Sequence, residues 1–232
     1  KFERIKLMEN DRNYGVCRAR NQGIGCLNGE WILALDSDVV LGERFIRGFV
    51  EAQKRFADDV GMVQTNILYK DSQTIYSQGI YLSPLRRFYD LNRGRALMAS
   101  GAITDNIIGP CAAAAFYRRC MLQQVKEKTG YFDERFFFLV EDVDLAWRAK
   151  KRGWRVVFCP EIQCRHLGNG SRTDTLMRQY LSFRNRHLMI IKNENPLGMI
   201  AVCIISMPYE LIRLIYLLIF NKYIWQKFEL IK

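Results

Sequence analysis

Two aspartates follow an apolar run in the segment WILALDSDVVL, residues 31–41. The unbroken apolar character of residues 31–35 predicts a strand that is buried on both faces. Side chains alternate along an extended chain, so Asp36 and Asp38 can point to the same side. Two carboxylates at the end of a strand can hold Mg²⁺ or Mn²⁺. The pattern is short, and a solvated Asp-Ser-Asp turn also accounts for it.

A second group of acids, Glu141, Asp142 and Asp144, follows the apolar run FFFLV and begins a predicted helix over residues 141–153. A carboxylate in this place can be partly desolvated, which raises its pKa and suits it to act as a general base. The alternative is plain helix capping with an ion pair between Asp144 and Arg148 at i,i+4. The two roles are compatible.

A histidine, His166, lies in the segment CRHLGNGS, a few residues after a predicted strand that Pro160 ends. A neutral imidazole there could complete a metal site or contact a phosphate, although a lone histidine is more often structural. Cys159 and Cys164 lie close to His166 in the sequence, but a fourth ligand at the spacing of a zinc site is missing. We therefore expect no zinc site in this segment.

The elements that must position these side chains alternate between helices and strands along the chain. Spacing of the apolar residues predicts helices at 13–28, 43–56, 118–128 and 141–153, and strands at 31–35, 60–68, 111–119 and 154–160. This order predicts an α/β layer with parallel strands, in which ligands bind beyond the carboxyl ends of the strands. Residues 69–105 are less regular, and we expect loops and short strands there.

An apolar segment, residues 197–220, follows these elements and is long enough to cross a membrane. Pro208 interrupts it, and Glu210 and Arg213 are spaced to pair on one helix face. A single span, two amphipathic helices in the membrane interface, and a helical hairpin packed on the core all remain open. The basic and aromatic residues that flank the segment suit an anionic lipid surface: Arg184, Arg186, Lys192, Lys222, Tyr223, Trp225 and Lys227.

The charge and the cysteines restrict the partners and the compartment. A formal charge of +11 predicts a polyanionic neighbour such as nucleic acid, anionic lipid or a phosphorylated substrate. The arginines are dispersed and no nucleic-acid-binding motif is present, so a nucleic-acid-binding domain is the weaker alternative. The seven cysteines form no CxxC pair, which predicts reduced thiols in a cytosolic compartment.

The ordered series of motifs resembles the family 2 inverting glycosyltransferases of the GT-A fold, and most closely their rhamnosyltransferase-like branch. The series spans about residues 10–195 and is more specific than any single motif: NYGVCRARNQGIGCLNGEWILALDSDV, GPCAAAAFYRR, GYFDERFFFLVEDVDLAWRAKKRGW, CRHLGNGS and YLSFRNRHLMIIKN. The resemblance implies a Rossmann-like, mixed and mainly parallel sheet with flanking helices. It divides the chain into a GT-A domain, residues 1–195, and a membrane-associated helical segment, residues 196–232.

The resemblance also implies how a nucleotide-sugar donor is held. By motif position, Asp36 and Asp38 hold Mg²⁺ or Mn²⁺ on the donor diphosphate, with Asp38 as the more direct ligand and His166 as a further metal or diphosphate contact. Arg20 and Asn21 border the nucleotide. Three further arginines are candidates for contacting the diphosphate: Arg172, Arg178 and Arg184.

The acceptor side of the site falls on two other motifs. The family's strand that flanks the acceptor corresponds to residues 109–118, which include Gly109, Cys111 and Arg118. Its glutamate–aspartate motif makes Asp142 the base and Glu141 an orienting or acceptor-contacting partner. An inverting transferase needs one base and a cation at the leaving group, and it forms no covalent intermediate.

The resemblance implies a UDP- or dTDP-linked sugar donor, with rhamnose as one candidate sugar. It implies a lipid-linked or polysaccharide acceptor at the cytoplasmic face of the membrane. A catalytically inactive, membrane-bound scaffold is the alternative within the same family.

Two departures from the family pattern bear on these expectations. Many relatives have Asn-x-Asp where this chain has Asp36 and Asp38, so the metal could be held more strongly or shared differently. The family's first strands, which hold the nucleobase, have no counterpart before Lys1, and residues 2–10 look like the third strand of that unit. We therefore expect this stretch alone to transfer sugar poorly.

Overall fold

The computed structural model describes residues 5–97, 106–168 and 174–229, with side chains described up to residue 225. The helices are Val16–Gly25 (α1), Phe45–Ala52 (α2), Arg119–Val125 (α3), Glu141–Lys151 (α4), Thr175–Asn193 (α5), Pro196–Phe220 (α6) and Lys222–Glu229 (α7). The strands are Trp31–Leu35 (β1), Val39–Leu41 (β2), Val60–Tyr69 (β3), Ile75–Ser77 (β4), Ile80–Leu82 (β5), Phe88–Asp90 (β6), Ala114–Arg118 (β7) and Arg155–His166 (β8).

The main sheet has the order β1-β7-β3-β8-β2, with β4 beside β3, and β5 pairs with β6 in a separate hairpin. The sheet is mixed, as predicted. Its mainly parallel character is not observed: within the described ranges only β3 and β8 pair in parallel, and β7 runs against both β1 and β3. Since β1, β3 and β8 still point the same way, their carboxyl ends meet at one edge of the sheet.

The strand before the two aspartates, β1, is an edge strand that pairs with β7 alone. The prediction that it is buried on both faces is therefore wrong at its end, where Leu35 is 42% exposed. The start of β1 is covered by α2, because Phe49 of α2 packs against Trp31 and stacks on Phe116 of β7. At the start of α2, Ile46 is 52% exposed.

The strand β8 continues through Pro160, where the sequence predicted that it would end. Thr65 of β3 pairs with Cys159, and the next residue, Asn66, pairs with Gln163. Pro160 therefore lies in a bulge, where its missing N–H removes no hydrogen bond from the ladder. The strand can then run on and deliver His166 to the edge where β1 and β3 end.

Helices cover both faces of the sheet and form two apolar cores. On one face α1, α3, α4, α5 and the start of α6 pack together, through residues such as Ile24, Leu122, Val143 and Met189. On the other face α2 packs on β3, β7 and β8. The predicted helices α1 to α4 are confirmed, whereas α5 was not predicted. Within 2–10, however, the described residues 5–10 form no strand.

The C-terminal apolar segment is one continuous helix, α6, which passes through Pro208 without a break. Among the described residues, α6 is the helix long and apolar enough to cross a membrane. The predicted pair of Glu210 with Arg213 does not form. Glu210 instead binds Arg87 and Arg186, while Arg213 donates to the hydroxyl of Ser182. The interfacial alternative of two separate helices within 197–220 is therefore not observed.

Candidate active site

Arg20 of α1 joins the two acidic clusters that the sequence singled out. Its Nη1 donates to Oε1 of Glu141 at 2.7 Å, and its Nη2 donates to Oδ1 of Asp36 at 2.8 Å. Nη2 also donates to the carbonyl oxygen of Ala112. Burial acts to lower the Arg20 pKa, but the two carboxylates outweigh burial and raise the pKa. The guanidinium is therefore a permanent positive charge between two acids that lie far apart in the chain.

Asp142 follows Glu141 and faces the same loop as Arg20. Its Oδ2 accepts from the backbone N–H of Ala112 at 3.3 Å, and its Oδ1 accepts from the N–H of Val143. Desolvation and the charge of Glu141 raise the pKa of Asp142 from 3.8 to about 7, against the lowering effect of Arg20. A carboxyl with this pKa can accept a proton near neutral pH and release it again.

Asp36, Asp38 and His166 form a group of three side chains with the geometry of a metal site. One potential ligand atom from each lies within 4.8 Å of the others. The antiparallel pairing of β2 with β8 sets His166 opposite Val39, the residue after Asp38. Nε2 of His166 is then 3.6 Å from Oδ1 of Asp38.

The chemistry of these donors fits a divalent cation. Two carboxylates and one imidazole suit Mn²⁺, and the carboxylates alone suit Mg²⁺. Within the described part of the chain, Nδ1 of His166 is buried and makes no hydrogen bond. The other ring nitrogen, Nε2, faces Oδ1 of Asp38 at 3.6 Å, and an imidazole nitrogen is a common metal ligand.

A layer of side chains that the sequence did not predict lies against His166. The rings of Tyr76 and His166 are stacked, with their centroids 4.2 Å apart. The guanidinium carbon of Arg93 lies 4.3 Å from the centroid of the Tyr76 ring. Asp90 pairs with Arg93, and its charge helps to raise the pKa of Cys111. Tyr76, Asp90 and Arg93 come from the irregular stretch 69–105. The spacing of residues in this stretch does not predict that these side chains lie together.

Asn21, which the resemblance placed beside the nucleotide, contacts a loop of the protein through both ends of its side-chain amide. Its Nδ2 donates to the carbonyl oxygen of Phe132 at 2.8 Å, and its Oδ1 accepts from the N–H of the same residue at 2.9 Å. A Cβ at Gly130 would lie 2.0 Å from Nδ2 of Asn21. Both ends of the amide are therefore used to hold the loop before α4, and Asn21 positions this loop.

The acceptor residues that the resemblance implied are only partly brought together. Cys111 lies beside the site, because the next residue, Ala112, contacts both Arg20 and Asp142. Gly109 is buried, and a Cβ there would lie 2.2 Å from the Cβ of Ala146, so its role is close packing under α4.

Arg118, which the resemblance placed at the acceptor, lies at the end of β7 that is remote from the two acidic clusters. It pairs with Trp31 at the start of β1, whereas Ala114 pairs with Leu35 at its end. Four residues of strand, about 13 Å, thus separate Arg118 from the edge of the sheet that carries Asp36. Its guanidinium donates to the carbonyl oxygen of Asp58 instead.

The remaining predicted residues near the site have structural contacts. Asp144 is fully buried and forms the predicted ion pair with Arg148 at 2.9 Å, whereas the predicted capping is not observed, because no side chain of the described residues caps the start of α4. Arg184 donates to the carbonyl oxygens of residues 135 and 136, and Arg178 lies over the ring of Phe138. The diphosphate role proposed for Arg172 lies outside the described residues.

Comparison with known proteins is consistent with this geometry. Over 192 residues the chain is 23% identical to the low-salt glycan biosynthesis hexosyltransferase Agl10 of Haloferax volcanii, covering 79% of the chain and 59% of that protein. It is 31% identical over 72 residues to the succinoglycan biosynthesis protein ExoO of Rhizobium meliloti, covering 31% of the chain and 21% of that protein. The chain therefore spans less than two thirds of the length of these relatives.

The fold resembles that of the glycosyltransferase GalNAc-T7, whose crystal structure contains UDP, GalNAc and Mn²⁺. The TM-score is 0.53 at 11% identity, over 78% of this chain and 35% of that one, and it supports the GT-A fold. The family model described as glycosyl transferase family group 2 matches residues 31–230. Because this match covers most of the chain, the protein belongs to glycosyl transferase family group 2.

Proposed function

We propose that the protein catalyses the inverting transfer of a sugar from a nucleoside-diphosphate donor to a glycan or lipid-linked acceptor. The observation that carries this proposal is the bridge through Arg20. It joins Asp36, at the group of possible metal ligands, to Glu141, the neighbour of Asp142. A cation-binding group and a carboxyl with a pKa of about 7 thus share one edge of the sheet.

Asp142 acts as the base in this proposal. It takes the proton of the acceptor hydroxyl as that oxygen bonds to the anomeric carbon of the sugar, and the bond from this carbon to the diphosphate breaks. The nucleoside diphosphate leaves with the bonding electrons. Glu141 pairs with Arg20, and burial together with the neighbouring Glu141 raises the pKa of Asp142 to about 7, which suits proton transfer near neutral pH.

Asp36, Asp38 and His166 would hold the divalent cation, with Mn²⁺ favoured over Mg²⁺ because of the imidazole. When bound, such a cation stabilises negative charge on a leaving diphosphate. The ion pair with Arg20 limits the freedom of Asp36, whereas Asp38 lies on the side of His166. This arrangement supports Asp38 as the more direct ligand.

The donor and acceptor follow from weaker observations. UDP in the structure of GalNAc-T7 and the family resemblance support a UDP- or dTDP-linked sugar, with rhamnose as one candidate. The names of Agl10 and ExoO support an acceptor in glycan biosynthesis. The apolar helix α6 supports an acceptor at a membrane, and the free cysteines favour its cytoplasmic face.

The basic charge of the chain gives little support to nucleic-acid binding. Many of its arginines are engaged with carboxylates of the same chain: Arg20, Arg86, Arg87, Arg93, Arg135, Arg148, Arg155 and Arg186. These paired arginines are therefore less available to contact the phosphates of a nucleic acid.

The direct test measures release of nucleoside diphosphate from a panel of UDP-, dTDP- and GDP-sugars, with Mn²⁺ and a glycan-lipid extract as acceptor. We expect one donor to be turned over by the wild-type full-length protein and not by its Asp142→Asn variant. Asp59→Asn is the matched control, because Asp59 is an exposed acid paired with Arg155 at the opposite edge of the sheet. An inactive scaffold would bind a donor without turnover, and equal turnover by Asp142→Asn would refute the role of Asp142.

A further inference from the structure

Helix α6 contacts the domain along one narrow stripe of its surface. Its buried residues are Val202, Ser206, Glu210 and Leu217, which are one or two helical turns apart and therefore lie on one face. The contacts continue past the helix end to Asn221, whose side chain donates to the carbonyl oxygen of Leu176. The stripe therefore extends over about 28 Å at the rise of an α-helix.

The partners of this stripe run in the opposite direction along α5. Glu210 accepts from Arg186 at 2.8 Å, Arg213 donates to Ser182 at 3.0 Å, and Asn221 contacts Leu176 near the start of α5. The two helices thus form an antiparallel pair that is in contact along its length. This pairing fixes which face of α6 points away from the protein.

The outward face of α6 carries no charged side chain between Ile200 and Phe220. Its large side chains range from 36% to 68% exposed: Ile200, Ile204, Ile205, Met207, Tyr209, Leu211, Ile212, Leu214, Ile215, Tyr216, Leu218, Ile219 and Phe220. An apolar face of this length is far larger than the patches that monomeric soluble proteins usually expose.

We propose that α6 lies in the plane of a membrane interface, with its outward face in the boundary between headgroups and acyl chains, and that it does not cross the bilayer. The proposal deepens the membrane location included in the proposed function.

Contact with the domain excludes a spanning orientation. A helix that crossed the bilayer would carry Glu210 with its partners Arg87 and Arg186, and the whole of α5, into the hydrocarbon layer. Charged groups at that depth are strongly disfavoured. With α6 in the plane, the same groups stay on the side of the helix that faces the protein and water.

A lipid surface fits the outward face better than a second copy of the chain does. Each copy carries a formal charge of +11, so two copies repel one another, whereas anionic lipid attracts the chain. Lys222 is exposed at the end of α6, and Trp225 is 54% exposed beside it. Both residue types are characteristic of the membrane interface.

The same helix pair holds the turn of the β5–β6 hairpin. Arg186 donates to the carbonyl oxygens of Leu85 and Arg86, and Arg87 of this turn pairs with Glu210. Ile80 of this hairpin pairs with Gly109, two residues before Cys111 in the site. A membrane under α6 would therefore adjoin the acceptor side of the site.

Flotation with vesicles of phosphatidylcholine, with and without 30% phosphatidylglycerol, tests binding in the absence of donor and acceptor. We expect the chain to float with both vesicles and more strongly with the anionic ones. Ile204→Glu with Ile212→Glu should weaken binding about tenfold or more. Ile46→Glu is the matched control, because Ile46 is 52% exposed on α2, away from this face.

The orientation is tested with fluorescent labels at two points of α6. The first variant carries Cys26→Ser and Cys120→Ser and is labelled on the native, exposed Cys203. The second carries Cys203→Ser in addition and is labelled on Ile219→Cys. An in-plane helix puts both labels at one shallow depth and in the outer leaflet, where spin-labelled lipid and external dithionite quench them equally. A label on Cys120 alone should report water.

Three outcomes would overturn the proposal. One is protection of one α6 label from external dithionite, which indicates a span. Another is a dimer by light scattering that leaves vesicles unbound, which indicates that a second copy covers the face. The third is full vesicle binding by the double glutamate variant. Because none of these measurements uses sugar transfer, failure here is distinct from failure of the proposed activity.

Discussion

Nε2 of His166 lies 3.6 Å from Oδ1 of Asp38, although the two residues come from motifs far apart in the chain. The pairing of β2 with β8 produces this contact, since Val39 stands opposite His166. The contact requires β8 to continue through the bulge at Pro160. The geometry of this candidate metal-binding group therefore depends on the bulge that lets β8 continue past Pro160.

Removal of Asp38 should weaken cation binding more than removal of Asp36. Asp38→Asn is expected to lower the affinity for Mn²⁺ by about tenfold or more, because it removes a carboxylate ligand. Asp36→Asn should have a smaller effect, since Arg20 already engages that carboxylate. Titration of free Mn²⁺ by electron paramagnetic resonance measures both, with Asp59→Asn as the control, and a larger loss in Asp36→Asn would reverse the assignment.

The pH dependence of transfer should report Asp142. Since its pKa is raised to about 7, kcat/KM should rise with pH up to about 7 and level off above it as the carboxyl ionises. Glu141→Gln should move the midpoint to lower pH, because the neighbouring negative charge is removed. A profile that is flat between pH 5 and 8 would count against Asp142 as the base.

The same carboxyl should make the fold less stable as pH rises. A group with a pKa raised in the folded state binds more protons there than in the unfolded chain, so the free energy of unfolding falls between about pH 4 and 7. Asp142→Asn should remove this loss and be more stable than the wild type at pH 8, by on the order of 2 kcal/mol. Urea denaturation at pH 5 and pH 8 tests this, and an equal pH dependence in both proteins would contradict it.

Arg20 should matter for stability as well as for the site. Arg20→Met leaves Glu141 nearly buried without its cation and should lower the free energy of unfolding by about 3 kcal/mol. Addition of Glu141→Gln should recover part of that loss. Arg155→Met is the control, because its ion pair with Asp59 is exposed and should contribute less than about 1 kcal/mol. Equal losses in the two arginine variants would show that the bridge has no special importance.

Gly109 offers a test of packing under α4 that does not depend on catalysis. Gly109→Ala should destabilise the fold by about 1–3 kcal/mol, because its Cβ would lie 2.2 Å from that of Ala146. Ala146→Gly in the same chain should relieve the contact and recover most of the loss, apart from the helix cost of a glycine of about 1 kcal/mol. Thermal unfolding measures both variants, and a lack of rescue would place the strain elsewhere.

The sequence by itself determined the elements and most of the chemistry. Apolar periodicity predicted α1, β1, α2, β3, β7, α3 and α4 at or near their observed bounds, since burial of one face imposes that spacing locally. The ordered motifs identified the family, and their acids Asp36, Asp38, Glu141 and Asp142 do meet at one edge of the sheet.

Only the tertiary structure decided strand direction, the outward face of α6 and the partners of individual side chains. Nothing local distinguishes Arg20, which joins the site, from Asn21 beside it, which holds a loop, because their partners lie more than a hundred residues away in the chain. Likewise Glu210 faces Arg87 and Arg186 rather than the nearer Arg213, because the packing of α6 on α5 turns it inward. Such choices depend on long-range contacts, which spacing along the chain does not encode.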